Sequence, residues 1–251
     1  MTSNKEISMK PILFSIPMVK ALLNTKPDTW PAEPIDPSRP FKSQTRRVAE
    51  MPPAVQGRDY RYDGDSDGCH YLEQVIDGKP TENYLDIGKA AYQAGDKFWV
   101  RETWRLVDFT FIDGTYSASV EFKDGTRGNR LFWRENEIED ADMRTGWRSP
   151  YHLHKKNVRL FLEVKEVRME RLQDITEADA KAEGASICFW FRPYGKPDEE
   201  SICFRNEARE WEHPTHKAGF FYLWDSLNGK KGLGYESNPW VWVYEFMRVE
   251  G

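Results

Sequence analysis

Cysteine is scarce: the chain holds three in 251 residues, Cys69, Cys188 and Cys203. An odd count without tight spacing excludes a disulfide-built scaffold and fits a reducing compartment, so a cytoplasmic location is expected. Long apolar runs are also missing. Those present, such as residues 97–100 and 240–244, are far too short to span a bilayer. The first residues lead into no apolar stretch of the signal-peptide kind, and no membrane partner is expected. A basic excess is absent as well, the net charge being −5, whereas a nucleic-acid binder usually carries a basic footprint. Neither a Walker loop nor a dinucleotide-binding glycine motif occurs, so no cofactor is expected.

Aromatic residues are plentiful. Ten Trp, eleven Tyr and fourteen Phe supply far more core material than a solvated tail would carry, which excludes wholesale disorder. One domain over residues 10–250 is expected, interrupted at about 24–41, 52–92 and 186–217. The first interruption holds five prolines, the second is rich in Asp, Gly and Tyr without sustained periodicity, and the third is aromatic, charged and irregular. Charge is unevenly spread. Basic residues gather at Lys42, Arg46 and Arg47 and again between Arg144 and Arg159, and such patches attract phosphates even on an acidic chain.

Between the interruptions the pattern alternates between short strands and short helices. Ile12-Leu13-Phe14 reads as a strand, and the four-residue spacing of Met18, Val19, Leu22 and Leu23 behind Pro17 as a helix. Residues 97–104 are strand-like. Asp113-Gly114 and Asp124-Gly125 punctuate residues 106–134 as hairpin turns would. Leu160, Leu162 and Val164 share one face of a further strand, with Phe161 exceptional on the other. Thr176 caps a helix that Gly184 ends, residues 220–227 form another, and a closing strand runs over 239–249. Strands with few short helices in this order indicate an α+β barrel rather than a doubly wound sheet.

Several residue types invite a chemical reading. Cys188, Cys203, His213 and His216 are zinc-ligand types within one stretch, but no Cys-x-x-Cys pair accompanies them, and no metal is assigned. Asp63-Gly64-Asp65-Ser66-Asp67-Gly68 has a calcium-loop look but Gln74 at the twelfth position, so an acidic loop is expected. Trp99 and one or both of Trp240 and Trp242 read as core, whereas Trp104, near Arg101 and Arg105, is the better candidate to stack on a base.

Four motifs carry a family resemblance. Lys42-Ser43-Gln44-Thr45-Arg46-Arg47-Val48 follows the first helix, and Ala94-Gly95-Asp96-Lys97-Phe98-Trp99-Val100-Arg101-Glu102-Thr103-Trp104 contains a strand. Glu170 through Gly184 forms a strand-to-helix passage, and Leu223 through Lys230 with Asn238 through Val243 closes the chain. In this order and spacing they resemble the ASCH family of bacterial and phage proteins, within the PUA-like superfamily. The resemblance implies a small β-barrel with flanking short helices and a cleft between barrel and helices. It implies RNA, single-stranded DNA or a modified nucleoside as partner, held by Arg46, Arg47, Arg101, Trp104, Arg148, Ser149, Tyr151 and His152. The related acetylcytidine amidohydrolases imply a catalytic role for Lys42, Thr45 and Glu183. A phage-encoded interaction or inhibitor protein acting on a host protein is the third reading.

The chemistry of that trio stands on its own terms. Amide hydrolysis needs a nucleophile, a base and oxyanion stabilisation. A Thr hydroxyl needs an adjacent base, and a Lys serves only when burial or neighbouring positive charge lowers its pKa. Arg46 and Arg47 are placed to supply that charge, Glu183 to orient the Lys, and backbone N–H groups or Arg101 to face the oxyanion. Lys42 and Thr45, three apart, share a face in a helix or turn and oppose each other in an extended strand.

Overall fold

The C-terminal run Trp240-Val241-Trp242-Val243-Tyr244 is apolar at every position, the pattern of a strand covered on both faces. In the computed structural model it begins the strand around which the other elements gather. The structure describes residues 9–52, 55, 59–66, 69–134, 137, 145–188, 191–197 and 215–250. A five-stranded sheet contains β1 (Met9–Leu13), β2 (Gln44–Val48), β6 (Lys97–Arg101), β10 (Phe161–Arg171) and β11 (Trp240–Val249), in the spatial order β1-β6-β10-β11-β2. Only β1 and β6 run parallel.

Side-chain alternation then assigns each neighbour its place. Val241 and Val243 of β11 pack against α2 (Glu177–Ala182) and α3 (His216–Asn228), together with Phe220, Phe221 and Trp224. Trp240, Trp242 and Tyr244 point the other way, toward Leu72 and Ala90. On β6, Phe98 and Val100 join Leu162 and Val164 of β10 beneath Val19 and Leu22 of α1 (Ile16–Leu23). Trp99 faces the opposite side and packs with Trp104, Leu106, Val120 and Phe122. Phe161 leans on that same cluster, so its departure from the one-faced pattern of β10 reflects a second covered face.

Two further three-stranded antiparallel sheets cover the core. One is β3 (Tyr60–Ser66), β4 (Cys69–Ile76) and β5 (Lys79–Gly88); the other is β7 (Trp104–Ile112), β8 (Thr115–Phe122) and β9 (Arg127–Arg134). The hairpin turns expected at Asp113-Gly114 and Asp124-Gly125 lie between β7, β8 and β9. The first of these sheets corrects the expectation that residues 52–92 are irregular. Its pairing slips between Tyr62 and Gly64, between His70 and Tyr71 and between Glu73 and Val75, and each slip breaks the two-residue period that marks a strand. Asp63 and Gly64 therefore belong to a strand rather than to an acidic loop, while Asp67 and Gly68 lie outside the described residues. The segment 97–104 is likewise two strands, broken where Glu102 turns inward to Arg159.

The class is mixed α+β, mostly sheet with few helices. A closed barrel is not formed among the described residues: the five-stranded sheet ends on β1 and β2, and the other two sheets are separate ladders. The proline-rich stretch is a surface loop, gathered at its base by Asn24, whose side-chain amide donates to the carbonyls of Asp36, Arg39 and Pro40. Of the third interruption, residues 189–190 and 198–214 lie outside the described residues, and Cys188 pairs through its backbone with Thr215. No described helix is long and apolar enough to cross a membrane.

Close packing of α3 against this third stretch requires glycine at position 219. A Cβ built there would sit 1.6 Å from the Ser186 carbonyl oxygen. Gly219→Ala is expected to destabilise the protein by about 1–3 kcal/mol, the usual cost of overpacking, read as a lower urea midpoint at unchanged slope.

Candidate active site

Three local devices bring Lys42 to the end of α2. The loop that begins at Asn24 closes where the Thr25 hydroxyl donates to the Lys42 carbonyl at 3.1 Å. Thr176 and Asp179 form a reciprocal capping box at the start of α2. Gly184, with φ +77°, reverses the chain at its far end. A Cβ on Gly184 would lie 3.0 Å from the Ala21 Cβ and 3.4 Å from that of Lys42, so the chain passes close against both segments. The amide of Ser43 donates to the Ala182 carbonyl at 2.8 Å, and the Gln44 amide donates to the backbone and side chain of Asp179.

The result is a buried ion cluster. The Lys42 ammonium is fully buried and donates to the Glu183 carboxylate at 2.7 Å and to the Glu183 carbonyl at 2.8 Å. Arg46, equally enclosed, donates to the other Glu183 oxygen at 3.1 Å and to Glu170 at 2.6 and 2.8 Å, with Asp179 3.6 Å away. Burial is the largest influence on Lys42 and pushes its pKa below the ordinary lysine value. Glu183 opposes that shift, and the charges of Arg47 and Arg46 add to it. For Asp179, burial works upward, but hydrogen bonds from Thr176 and Gln44 and the charge of Arg46 hold its pKa below the usual value. The ring of Phe14 lies 5.4 Å from the Lys42 nitrogen and 5.6 Å from the Arg47 guanidinium, giving both cations an aromatic face.

Thr45, Arg46, Arg47 and Glu183 line a pocket of about 280 Å³ together with Phe220, Leu223 and Trp224. That is just below the range for drug-sized ligands and suits a small one. Thr45 and Arg47 alternate with Gln44 and Arg46 along β2. Lys42 lies before that strand in irregular backbone, so strand alternation does not set its direction. The Lys42 ammonium bonds to Glu183 and not to Thr45.

The remaining expected ligand-binding residues lie elsewhere. Arg101, Trp104, Arg148, Ser149, Tyr151 and His152 line a second cavity of about 850 Å³, and the two cavities share no described lining residue. The single cleft expected from sequence is thus two sites. Arg101, held between the rings of Trp99 and Tyr151 at 4.8 Å from each, is not in the Thr45 pocket where an oxyanion group is needed. Trp104 is not an open stacking platform: it is 4% exposed, packs in the core and carries the Arg148 guanidinium 4.6 Å from its ring centre. Ser149 has a local task, its hydroxyl accepting from the Tyr151 amide at the start of a short helical turn. Of the four zinc-type residues, Cys203 and His213 lie outside the described residues, and the His216 ring is hydrogen-bonded to the Ala185 carbonyl.

Glu170, Asp179 and Phe14 were not singled out in the sequence, although they complete the cluster. The four-residue spacing of Asp179 and Glu183, which puts both on one side of a helix, was the available signal for Asp179. Comparisons of the chain with family models, with curated proteins and with solved structures found no match.

Removing one partner of such a pair strands the other charge away from water. Lys42→Met is expected to cost about 3–5 kcal/mol, and adding Glu183→Gln to cost much less than the sum of the two single changes. Urea denaturation of the three variants measures both. Since the folded amine holds its proton less tightly than the unfolded one, this group's contribution to stability is full above about pH 10.4. It is lost as pH falls through the folded value, and that slope is expected to vanish in Lys42→Met.

Proposed function

We propose that the chain is an amidohydrolase that removes the acyl group from the exocyclic nitrogen of a modified nucleoside, acetylcytidine being the first substrate to test. The observation that carries this reading is the buried Lys42–Glu183 pair, 2.7 Å apart, whose Glu183 lines a small pocket together with Thr45. ASCH-type kinship supports it through the four motifs in order. A PUA-like core is part of the reading too, supported by the mixed five-stranded sheet with α1 and α2 beside it. A cytoplasmic location goes with the same proposal.

In this scheme Lys42 reacts as the neutral amine, which burial and the flanking arginines favour. It takes the proton of the Thr45 hydroxyl, directly or through one water, as that oxygen attacks the acyl carbon. The carbonyl π electrons move onto oxygen, and the positive charges of Arg46 and Arg47, two residues of the pocket lining, favour the resulting oxyanion. As the oxyanion pair re-forms the carbonyl and the C–N bond breaks, the Lys42 ammonium returns the proton to the departing exocyclic amine. Water then adds to the Thr45 ester with Lys42 again as base, releasing the carboxylic acid and restoring the hydroxyl. Glu183 holds the Lys42 nitrogen in place throughout, which makes it a positioning residue.

Liquid chromatography of acetylcytidine incubated with the protein tests this. Cytidine release by the wild type is expected, with a fall of about 10²- to 10⁴-fold in Lys42→Ala and a comparable loss in Thr45→Ala. No release by the wild type, or equal activity in Lys42→Ala with its fold intact by circular dichroism, contradicts the assignment.

A further inference from the structure

A third cavity, of about 610 Å³, lies where β2 and β10 end and β11 begins, and its volume is in the range of small-molecule sites. It shares Val48 alone with the described lining of the Thr45 pocket and nothing with that of the larger cavity. Its walls are mostly apolar, with Val48, Met51, Val55, Leu233 and Pro239 among them, and Arg171 and Glu50 supply the charged groups. Arg171, the last residue of β10, is half-buried, with its guanidinium 4.5 Å from the ring centre of Trp240. One of its N–H groups donates to the Asn238 carbonyl at 3.2 Å, and it meets no carboxylate within ion-pair distance among the described residues. Arg46, Arg159 and Arg168 are each paired with carboxylates. Burial is the largest influence on Arg171 and pushes its pKa below the ordinary arginine value, while the charges of Asp174 and Asp59 oppose that shift. The indole N–H of Trp240, a residue 4% exposed, also lacks an acceptor among the described residues.

A guanidinium stacked on a ring, with N–H donors unused, matches the two oxygens of a carboxylate. The neighbouring charges limit that anion to one negative charge. Glu50 stands in the lining, and Asp59 and Asp174 act on the same guanidinium. A phosphate dianion or a polynucleotide meets that repulsion with each added charge and gains little from apolar walls. A neutral apolar molecule fills the cavity but leaves the Arg171 donors unmet. We propose that this cavity binds a small apolar monocarboxylate, its carboxylate on Arg171 and its hydrocarbon body along Met51, Val55 and Leu233. The site does not depend on the amidohydrolase reading.

Titration of octanoate into protein with isotope-labelled methionine methyl groups tests this by NMR, since Met51 lines this cavity and Met18 the Thr45 pocket. The Met51 resonance, assigned by its loss in Met51→Leu, is expected to shift saturably while that of Met18 stays in place. Octanamide, nearly the same in shape but uncharged, is expected to bind roughly 10- to 150-fold more weakly, the range for hydrogen bonds to a charged group. Octyl phosphate is expected to bind more weakly than octanoate too. Arg171→Met is expected to weaken octanoate binding by a similar factor and to leave octanamide binding unchanged. The comparison of octanoate with octanamide in the wild type decides the matter even where that variant fails to fold. The proposal is overturned by the lack of a saturable Met51 shift, or by joint movement of Met18 and Met51. Octanamide or octyl phosphate binding as tightly as octanoate overturns it as well, as does wild-type octanoate affinity in a folded Arg171→Met. None of these readouts involves cytidine release, so failure here leaves the hydrolysis assay untouched, and failure there leaves this one untouched.

Discussion

The buried contact between Lys42 and Glu183 is the constraint on which the arrangement of the candidate active site depends. Two opposite charges removed from water recover their desolvation cost only with good geometry and further hydrogen bonds. Here those bonds come from Arg46 to Glu183 and Glu170, from Gln44 to Asp179, and from the amide of Ser43 to the last turn of α2. The cluster therefore ties β2, β10 and α2 together. It also buries the Lys42 nitrogen away from bulk solvent. Thr45, Arg46, Arg47 and Glu183 are also among the residues that line the small pocket.

The double-faced sheet makes that arrangement possible. Since β11 is covered on both sides, α2 and α3 can occupy one face while β3, β4 and β5 occupy the other. Arg46 emerges between Phe220 of α3 and the carboxylates of α2 and β10, with Phe220 5.7 Å from its guanidinium. The third sheet packs through Trp104 against Trp99 of β6, and the separate cavity beside them is lined by Arg101 at the end of β6 and by Arg148 and Lys155 of the segment that follows β9. Sequence proximity between Arg101 and the rest of its strand says nothing about which of the two cavities it reaches.

Much of this was legible in the residues. Alternation and turn chemistry placed the hairpins at Asp113-Gly114 and Asp124-Gly125, the cap at Thr176 and the closing strand. The motif around Lys42 and Thr45 pointed to residues that do gather with Glu183 or line its pocket. What stayed hidden has physical causes. Register slips erased the period of β3, β4 and β5. Trp104 beside two arginines looks alike in sequence whether its ring is open or, as here, covered by Arg148. Ion partners such as Glu170, 124 residues from Arg46, are set by tertiary packing and leave no local trace.

Burial lowers the pKa of the Lys42 amine, and the titration of that amine tests this most directly. In protein labelled at the lysine side chains, NMR detection of the Lys42 ε-carbon and ζ-nitrogen across a pH series, assigned by its loss in Lys42→Met, reports its protonation. A transition clearly below the ordinary lysine value of about 10.4 is the predicted result. A transition at or above that value would contradict it.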